Sequence, residues 1–168
     1  MASFDASTDI AQWQGTLHHE LISHLADLRS DPAVCGFALE LPSDFTNDGV
    51  ISRVARYKNG LLGKKIPSLD SWEYVPNAKT FGASCDGLEE IYRKYSEPLE
   101  DETFYRNFGD RLYAACLDAM KQCVSTSAFG DIKVRLLLLS DDEHPIIDQA
   151  VEALNDPSMQ KTARKIAH

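Results

Sequence analysis

The chain has 168 residues, of which 43% are hydrophobic and 26% charged, and its 26 Asp and Glu against 17 Lys and Arg give a net charge of -9. A chain of this length buries about 70% of the surface that its unfolded form exposes, so it needs neither disulfides nor a metal to hold a core. It has no run of about 18 apolar residues that would span a membrane and no signal-peptide pattern at its start. We therefore expect one soluble, acidic, cytoplasmic domain over residues 1–168.

The four cysteines include no C-x-x-C pair. Cys116 and Cys123 lie seven residues apart in a segment with helical periodicity, a rise of about 10.5 Å. Because a disulfide needs Cα atoms within about 7 Å of each other, these two cannot be bridged within a helix. The sequence predicts small buried thiols in a reducing cytosol, and it predicts no cofactor.

The first half of the chain predicts one helix followed by strands. Apolar residues recur at three- and four-residue steps over 8–28, which predicts a helix that Ser7 or Thr8 caps. The run VCGFALEL over 34–41 predicts a strand, and 42–49 predicts a polar turn.

The next segment, 50–57, fits two structures. Its four-residue spacing of apolar side chains fits a helix, whereas its β-branched content and the following Asn59 and Gly60 fit a hairpin strand, the alternative that we favour. A loop rich in Gly, Lys and Pro leads to a short aromatic strand at 71–75, which Pro76 ends.

The second half predicts helices at 82–95 and 102–124, then a nearly unbroken apolar strand at 132–139. A further helix over 143–154 would be capped by Ser140, Asp141 and Asp142, and Asp156 with Pro157 can open a last short helix. The order α-β-β-β-α-α-β-α, without repeats or a long linker, predicts a single α+β domain with a small mixed sheet packed by several helices. In this fold we expect Leu112 and Leu138 to be core residues.

Three histidines in the first helix suggest a zinc motif. His19 and His24 are five residues apart, not the four of H-E-x-x-H, and so lie about 140° apart around a helix. They cannot share one metal ion, and a solvated helix face containing His18, His19 and His24 is the simpler interpretation.

The run Gly82-Ala83-Ser84-Cys85-Asp86-Gly87 resembles the G-x-S-x-G nucleophile elbow, but its second glycine comes one position late. We expect Ser84 to be the N-cap of a helix. Cys85 would need a basic partner to act as a nucleophile, and the sequence assigns none to it.

Asp141, Asp142, Glu143 and His144 directly follow the most apolar strand. The carboxyl ends of parallel strands are common sites of function, and three carboxylates are able to bind Mg²⁺. The same residues also fit the start of a helix, where acids stabilise the first turn, and we favour that role over metal binding.

Charge is unevenly distributed along the chain. Residues 86–102 carry seven acids against two bases and 141–156 carry six acids and no base, whereas 51–68 carries five bases and no acid. Such a field disfavours nucleic acid and favours a basic partner. The acidic surface is either a solubility feature or a docking face, and for docking we select Glu89, Glu90, Asp141, Asp142 and Glu143.

Several short motifs are notable along the chain: Phe37 to Leu41, Trp72-Glu73-Tyr74, the long segment from Phe104 to Cys123 that ends near Phe129-Gly130-Asp131, the apolar strand into Ser140-Asp141-Asp142, and Leu154-Asn155-Asp156-Pro157. Together they resemble the bacterial family catalogued as domain of unknown function 4303. The chain departs from the family at Thr46 and Asn47, which the family usually shows in the reverse order. The resemblance covers most of the chain and carries no catalytic residues.

This resemblance implies a small bacterial cytosolic protein, similar in type to the immunity proteins that accompany secreted toxins. Our leading hypothesis is a non-enzymatic module that binds and neutralises a basic toxin domain, with no nucleic acid or membrane as partner. One alternative is a small hydrolase or ligand-binding enzyme with its site at 141–144. Another is a scaffold subunit in a homodimer.

Overall fold

The computed structural model describes residues 5–41 and 49–168, which contain both helices and strands. The predicted turn at 42–49 and the pair Thr46 and Asn47 lie outside the described residues, apart from Gly49. In chain order the elements are helix α1 (Ser7–Leu28), strands β1 (Val34–Leu41), β2 (Ile51–Arg56), β3 (Lys58–Gly60), β4 (Gly63–Lys65) and β5 (Glu73–Val75), helices α2 (Asn77–Thr80), α3 (Gly82–Lys94) and α4 (Glu102–Ser125), strand β6 (Val134–Leu139), and helices α5 (Ile146–Leu154) and α6 (Pro157–Ala167).

Four strands form one mixed sheet in the order β5-β2-β1-β6. β1 runs antiparallel to β2 and parallel to β6, and β5 pairs antiparallel with β2 at the edge. The parallel pair is possible because α3 and α4 lie between β1 and β6 in the chain and return it to the starting end of the sheet. The predicted mixed sheet in one α+β domain is confirmed.

The segment 50–57 is a strand, as we favoured. Val54 pairs with Phe37 across the antiparallel ladder, and Ser52, Val54 and Ala55 are buried. The alternating burial at its start is what a strand with one covered face requires.

Two elements were absent from the sequence prediction. One is the four-residue helix α2. The other is the hairpin of β3 and β4, which forms a two-stranded sheet of its own. Its turn lies at Leu61 and Leu62, two residues later than Asn59 and Gly60, and Gly63 follows with a φ of +111°.

The core is built from the helix stripes that the sequence predicts. α1 packs against α4, and Leu17, Leu112 and Leu138 are all buried, as expected for the last two. β1 presents Phe37 to these helices, where its ring contacts His24 of α1 and Phe129.

Trp72 covers the centre of the sheet on the side opposite Phe37. A Cβ atom at Gly36 of β1 would lie 2.6 Å from Cη2 of Trp72, so the indole ring needs a glycine beneath it. The indole N–H donates to the carbonyl of Pro67 at 3.1 Å and Trp72 is 3% exposed. The segment that follows the hairpin is thereby packed against β1.

The predicted helix caps are partly wrong. α1 has no side-chain cap from Ser7 or Thr8, and instead Asp5 accepts the N–H of Ser7 at 2.9 Å. α4 is capped by Asp101, which accepts the N–H of Phe104 at 2.8 Å. At α1 the prediction fails because the side-chain oxygen that reaches a free N–H group belongs to Asp5, which lies before the segment in which we expected the cap.

Candidate functional site

A groove of about 430 Å³ lies between α1 and α3, and it contains Glu90 of the predicted docking set. Its floor includes Trp13 of α1 and Gly87 and Ile91 of α3. The indole N–H of Trp13 donates to the carbonyl of Ser84 at 2.8 Å, which holds the two helices together beneath the groove. Because Gly87 has no side chain, the groove stays open above Trp13. A Cβ atom at this position would lie 3.4 Å from Cδ1 of Trp13.

Three carboxylates and one ammonium line this groove: Asp9, Asp86, Glu90 and Lys94. Lys94 Nζ binds Asp9 Oδ2 at 2.7 Å, and the Tyr95 hydroxyl also lies 2.7 Å from that oxygen. The hydrogen bond from Lys94, followed by that from Tyr95, lowers the pKa of Asp9 below its ordinary value. Asp9 is therefore an ionised carboxylate with its charge already compensated.

Asp86 and Glu90 lie one helical turn apart on α3. Among the described residues, no ion pair includes either of them. Like charges at this spacing repel each other and destabilise a helix slightly. The groove thus has a net negative charge and an uncompensated pair of carboxylates at its edge.

Glu20 of α1 fixes the start of α3. Its carboxylate accepts the N–H groups of Ala83 and Ser84 at 3.0 and 2.9 Å, and the Ser84 hydroxyl donates to it at 2.5 Å. These are the free N–H groups that every helix has at its N-terminus, and a negative charge there is favourable. α1 and α3 are therefore joined at the start of α3 by Glu20, and the ion pair of Asp9 with Lys94 joins them at its end.

Ser84 is not the N-cap that the sequence predicted. α3 begins at Gly82, Phe81 occupies the cap position without a side-chain hydrogen bond, and the capping oxygens come from Glu20. Cys85 donates its thiol to the carbonyl of Val50 at 3.7 Å, and burial raises its pKa. Ser84 and Cys85 both act as structural contacts of α3.

Of the other predicted docking residues, Glu89 lies beside Glu90 but pairs with Arg93 at 3.9 Å. Asp141, Asp142 and Glu143 are exposed in the turn between β6 and α5. α3 packs mainly on α1, whereas α5 packs on α4, β6 and α6. The five predicted residues are therefore divided between two separate parts of the fold.

Asp141 and Asp142 do not cap α5, contrary to our expectation. The helix begins at Ile146, three residues later than predicted, and Asp141 accepts the N–H of Glu143 at 3.2 Å in a local turn. His144 takes the capping role, because its Nδ1 accepts the N–H of Ile146 at 3.2 Å. An acceptor at Nδ1 requires the proton on Nε2 in the neutral ring.

His144 Nε2 lies 3.1 Å from Oδ1 of Asp110 on α4, and its ring packs edge-on against Tyr113 with centroids 5.2 Å apart. Both ring nitrogens are thus engaged in this arrangement. Burial, with smaller contributions from neighbouring acids, raises the pKa of Tyr113 to about 12. The predicted enzyme position at 141–144 does lie at the carboxyl end of β6, but its histidine is bound as a helix cap.

The histidines of α1 are not all on a solvated face, as we had interpreted them. His19 is exposed and His18 is half-buried, whereas His24 is buried with its Nε2 3.2 Å from the Ser52 hydroxyl. No group of three or more metal-ligating side chains occurs within residues 5–41 and 49–168.

The basic segment 51–68 is largely neutralised along β2. Arg53 forms two hydrogen bonds with Glu40 at 2.6 and 3.1 Å and stacks on Tyr74, and Arg56 pairs with Asp31 and Glu73. The remaining bases, Lys58, Lys64 and Lys65, lie on the β3–β4 hairpin.

Sequence reasoning missed the roles of Asp9, Glu20 and Gly87. Their roles depend on how α1 and α3 lie against each other, which no local pattern encodes.

None of the described helices is apolar over a long enough stretch to cross a bilayer. In comparisons with known proteins, no family model, no curated protein and no solved structure matches this chain.

Proposed function

We propose that this chain is a cytoplasmic protein-binding module that neutralises a toxin partner, as immunity proteins do, and that its acidic groove receives a basic side chain of that partner. The observation that carries the proposal is the Asp86 and Glu90 pair beside the floor residue Trp13. A groove with uncompensated carboxylates and an apolar floor complements a long cationic side chain.

The energetic argument begins with the repulsion between Asp86 and Glu90. A lysine or arginine placed between them replaces that repulsion with two attractions. Its aliphatic stem then packs on Trp13 and Ile91, which line the groove. Arginine fits best, because its planar group donates to two carboxylates at once.

The outlying acids have a different role in this proposal. Asp141, Asp142 and Glu143 are exposed, as is Glu89, so they act on a basic partner through long-range attraction. Exposed charges mainly raise the association rate, whereas a charge covered at the interface also slows dissociation. With a net charge of -9, the whole molecule attracts a basic domain.

The test begins with the reading frame beside this gene. Its product, expressed in a bacterial host, should be toxic, and co-expression of this chain should restore growth. The double variant Asp86→Asn, Glu90→Gln should lose this protection, because it removes both charges and keeps the size of the side chains.

A matched control is Glu97→Gln, Glu100→Gln, which removes two exposed carboxylates from the same part of the chain but outside the groove. This control should protect as well as the unmodified protein. If both double variants protect equally, the groove is not the binding site. If the neighbouring product is harmless, or remains toxic beside this chain, neutralisation itself is wrong.

A direct binding measurement separates the two groups of acids. With the purified toxin domain, the groove variant should mainly raise the dissociation rate. Neutralising Asp141, Asp142 and Glu143 together should mainly lower the association rate at low salt. This second effect should fade near physiological ionic strength, where the Debye length is about 8 Å.

A further inference from the structure

The β3–β4 hairpin ends in two leucines that touch nothing in this protein. Leu61 and Leu62 form its turn and are 107% and 103% exposed. Every residue of 58–65 is exposed, so the hairpin stands clear of the core. Turns normally use Gly, Asn, Asp, Ser or Pro, so a pair of leucines here is not explained by turn geometry.

The strands behind this tip are basic. Lys58, Lys64 and Lys65 are exposed, and none of them belongs to an ion pair of the described residues. Lys64 Nζ lies 5.7 Å from the centre of the Tyr57 ring at the base of the hairpin. The hairpin thus has an apolar tip and, behind it, three ammonium groups that are available to bind negative charge.

We propose that this hairpin docks on an anionic lipid bilayer, with Leu61 and Leu62 inserted at the headgroup boundary and Lys58, Lys64 and Lys65 bound to acidic headgroups. Apolar insertion combined with attraction of basic residues to anionic lipid is how peripheral proteins hold to a membrane surface. This is surface contact and needs no membrane-spanning helix, so it differs from the spanning segment that the sequence argues against. It does depart from our sequence-based expectation that a membrane is not a partner, because that expectation rested on overall charge and took no account of this hairpin.

The convex shape of the tip favours a bilayer over a protein partner. Two adjacent leucines on a turn need either a matching pocket or a soft apolar medium, and the lysines behind them lie where headgroup phosphates would be.

The rest of the chain carries a net charge of -12, which is -9 less the +3 of the hairpin lysines, and is repelled by an anionic surface. Beyond a Debye length of about 8 Å this repulsion is screened, so the hairpin is the part that approaches.

Co-sedimentation with vesicles tests the proposal. The full chain is mixed with vesicles of phosphatidylcholine alone and with vesicles in which phosphatidylserine makes up about a third of the lipid. Binding should occur to the second kind and not to the first, and should weaken as salt is raised. Leu61→Ser, Leu62→Ser should reduce this binding by about tenfold or more.

Two triple variants with the same change in charge separate the hairpin from general electrostatics. Lys58→Gln, Lys64→Gln, Lys65→Gln should lower the affinity by about a hundredfold. Lys79→Gln, Arg106→Gln, Lys121→Gln removes three exposed positive charges from other parts of the fold and should bind like the unmodified chain. Circular dichroism of all variants should be unchanged, since the hairpin residues are exposed.

A Leu62→Trp variant reports insertion directly, because its indole emission should shift to the blue and be quenched by lipids brominated on the acyl chain. Loss of vesicle binding in the leucine variant together with this quenching supports the proposal. No binding to phosphatidylserine vesicles, equal binding of the leucine variant, or equal losses in the two triple variants would overturn it. If the unmodified chain binds no vesicles and the leucine variant no longer neutralises the toxin, the proposal is wrong and the hairpin contacts a protein instead.

Discussion

The carboxylate of Glu20 accepts the N–H of Ser84 at 2.9 Å, across 64 positions of the chain. Its second oxygen binds the N–H of Ala83, so one side chain of α1 satisfies two backbone donors at the start of α3. Glu20→Ala leaves these donors without their acceptor and should lower the free energy of unfolding by about 1–3 kcal/mol. Urea denaturation measures the loss. Glu97→Ala, an exposed acid without such contacts, should change stability little, and equal effects of the two variants would contradict the capping role.

Replacing Gly87 in the groove floor should change stability and partner binding in opposite directions. Gly87→Ala puts a methyl group 3.4 Å from Trp13 Cδ1, an ordinary contact, and removes a flexible residue from the middle of α3. The protein should become more stable by about 0.4–1 kcal/mol. Under the proposed function, the variant should also bind its toxin partner more weakly, because the methyl group occupies the groove. Thermal unfolding and binding kinetics check both signs, and undiminished binding would show that the partner does not enter the groove.

Leu112 of α4 and Leu138 of β6 are both buried. Replacing either with Ala leaves a cavity and should cost about 2–5 kcal/mol. Leu61→Ala is the control, since its side chain is fully exposed and its loss should change stability by less than about 0.5 kcal/mol. Denaturation midpoints that rank the three variants otherwise would contradict the core assignment.

His24 makes stability depend on pH. Burial lowers its pKa below the ordinary 6.5, so the folded state holds the neutral ring while the unfolded chain takes up a proton near that value. The stability present above pH 6.5 should therefore fall as the pH drops through 6.5 toward the lower folded pKa. His24→Gln keeps a polar group for Ser52 and should flatten this dependence. Asp9, whose pKa is lowered, makes stability depend on pH only around and below its ordinary pKa of 3.8. Its effect therefore lies outside the pH range in which His24 titrates.

The thiols should be unreactive while the protein is folded. Burial raises the pKa of Cys35 to about 11 and of Cys123 to about 12, and raises those of Cys85 and Cys116 as well. The thiolate is the reactive form, so a disulfide reagent at neutral pH should modify these groups slowly. After unfolding, all four free thiols should react rapidly. A fast-reacting thiol in the native protein would contradict the burial described for it.

Periodicity predicted the parts of this fold in which one segment determines its own structure. α1, α4 and β6 follow directly from apolar stripes or an apolar run, and β2 from its branched side chains. His24 carried a usable signal, since it lies seven residues after Leu17 on the buried stripe. We treated it with His18 and His19 because of the zinc motif, and that grouping was wrong.

The remaining features required the three-dimensional arrangement. The hairpin was missed because leucines occupy the turn where Gly or Asn is usual. The α3 cap was missed because its acceptor lies on another helix. The groove exists because α1 and α3 lie against each other, and of the five predicted docking residues only Glu90 lines it.

Gly36 under Trp72 has a mechanical consequence. The hairpin leaves the sheet at the end of β2, and the chain returns through Pro67, whose carbonyl binds Trp72, the ring that packs over Gly36 of β1. Both ends of the hairpin are therefore attached to the sheet. Contact of Leu61 and Leu62 with a bilayer, as proposed above, would then also restrict the orientation of the sheet and of the acidic groove that the same fold carries.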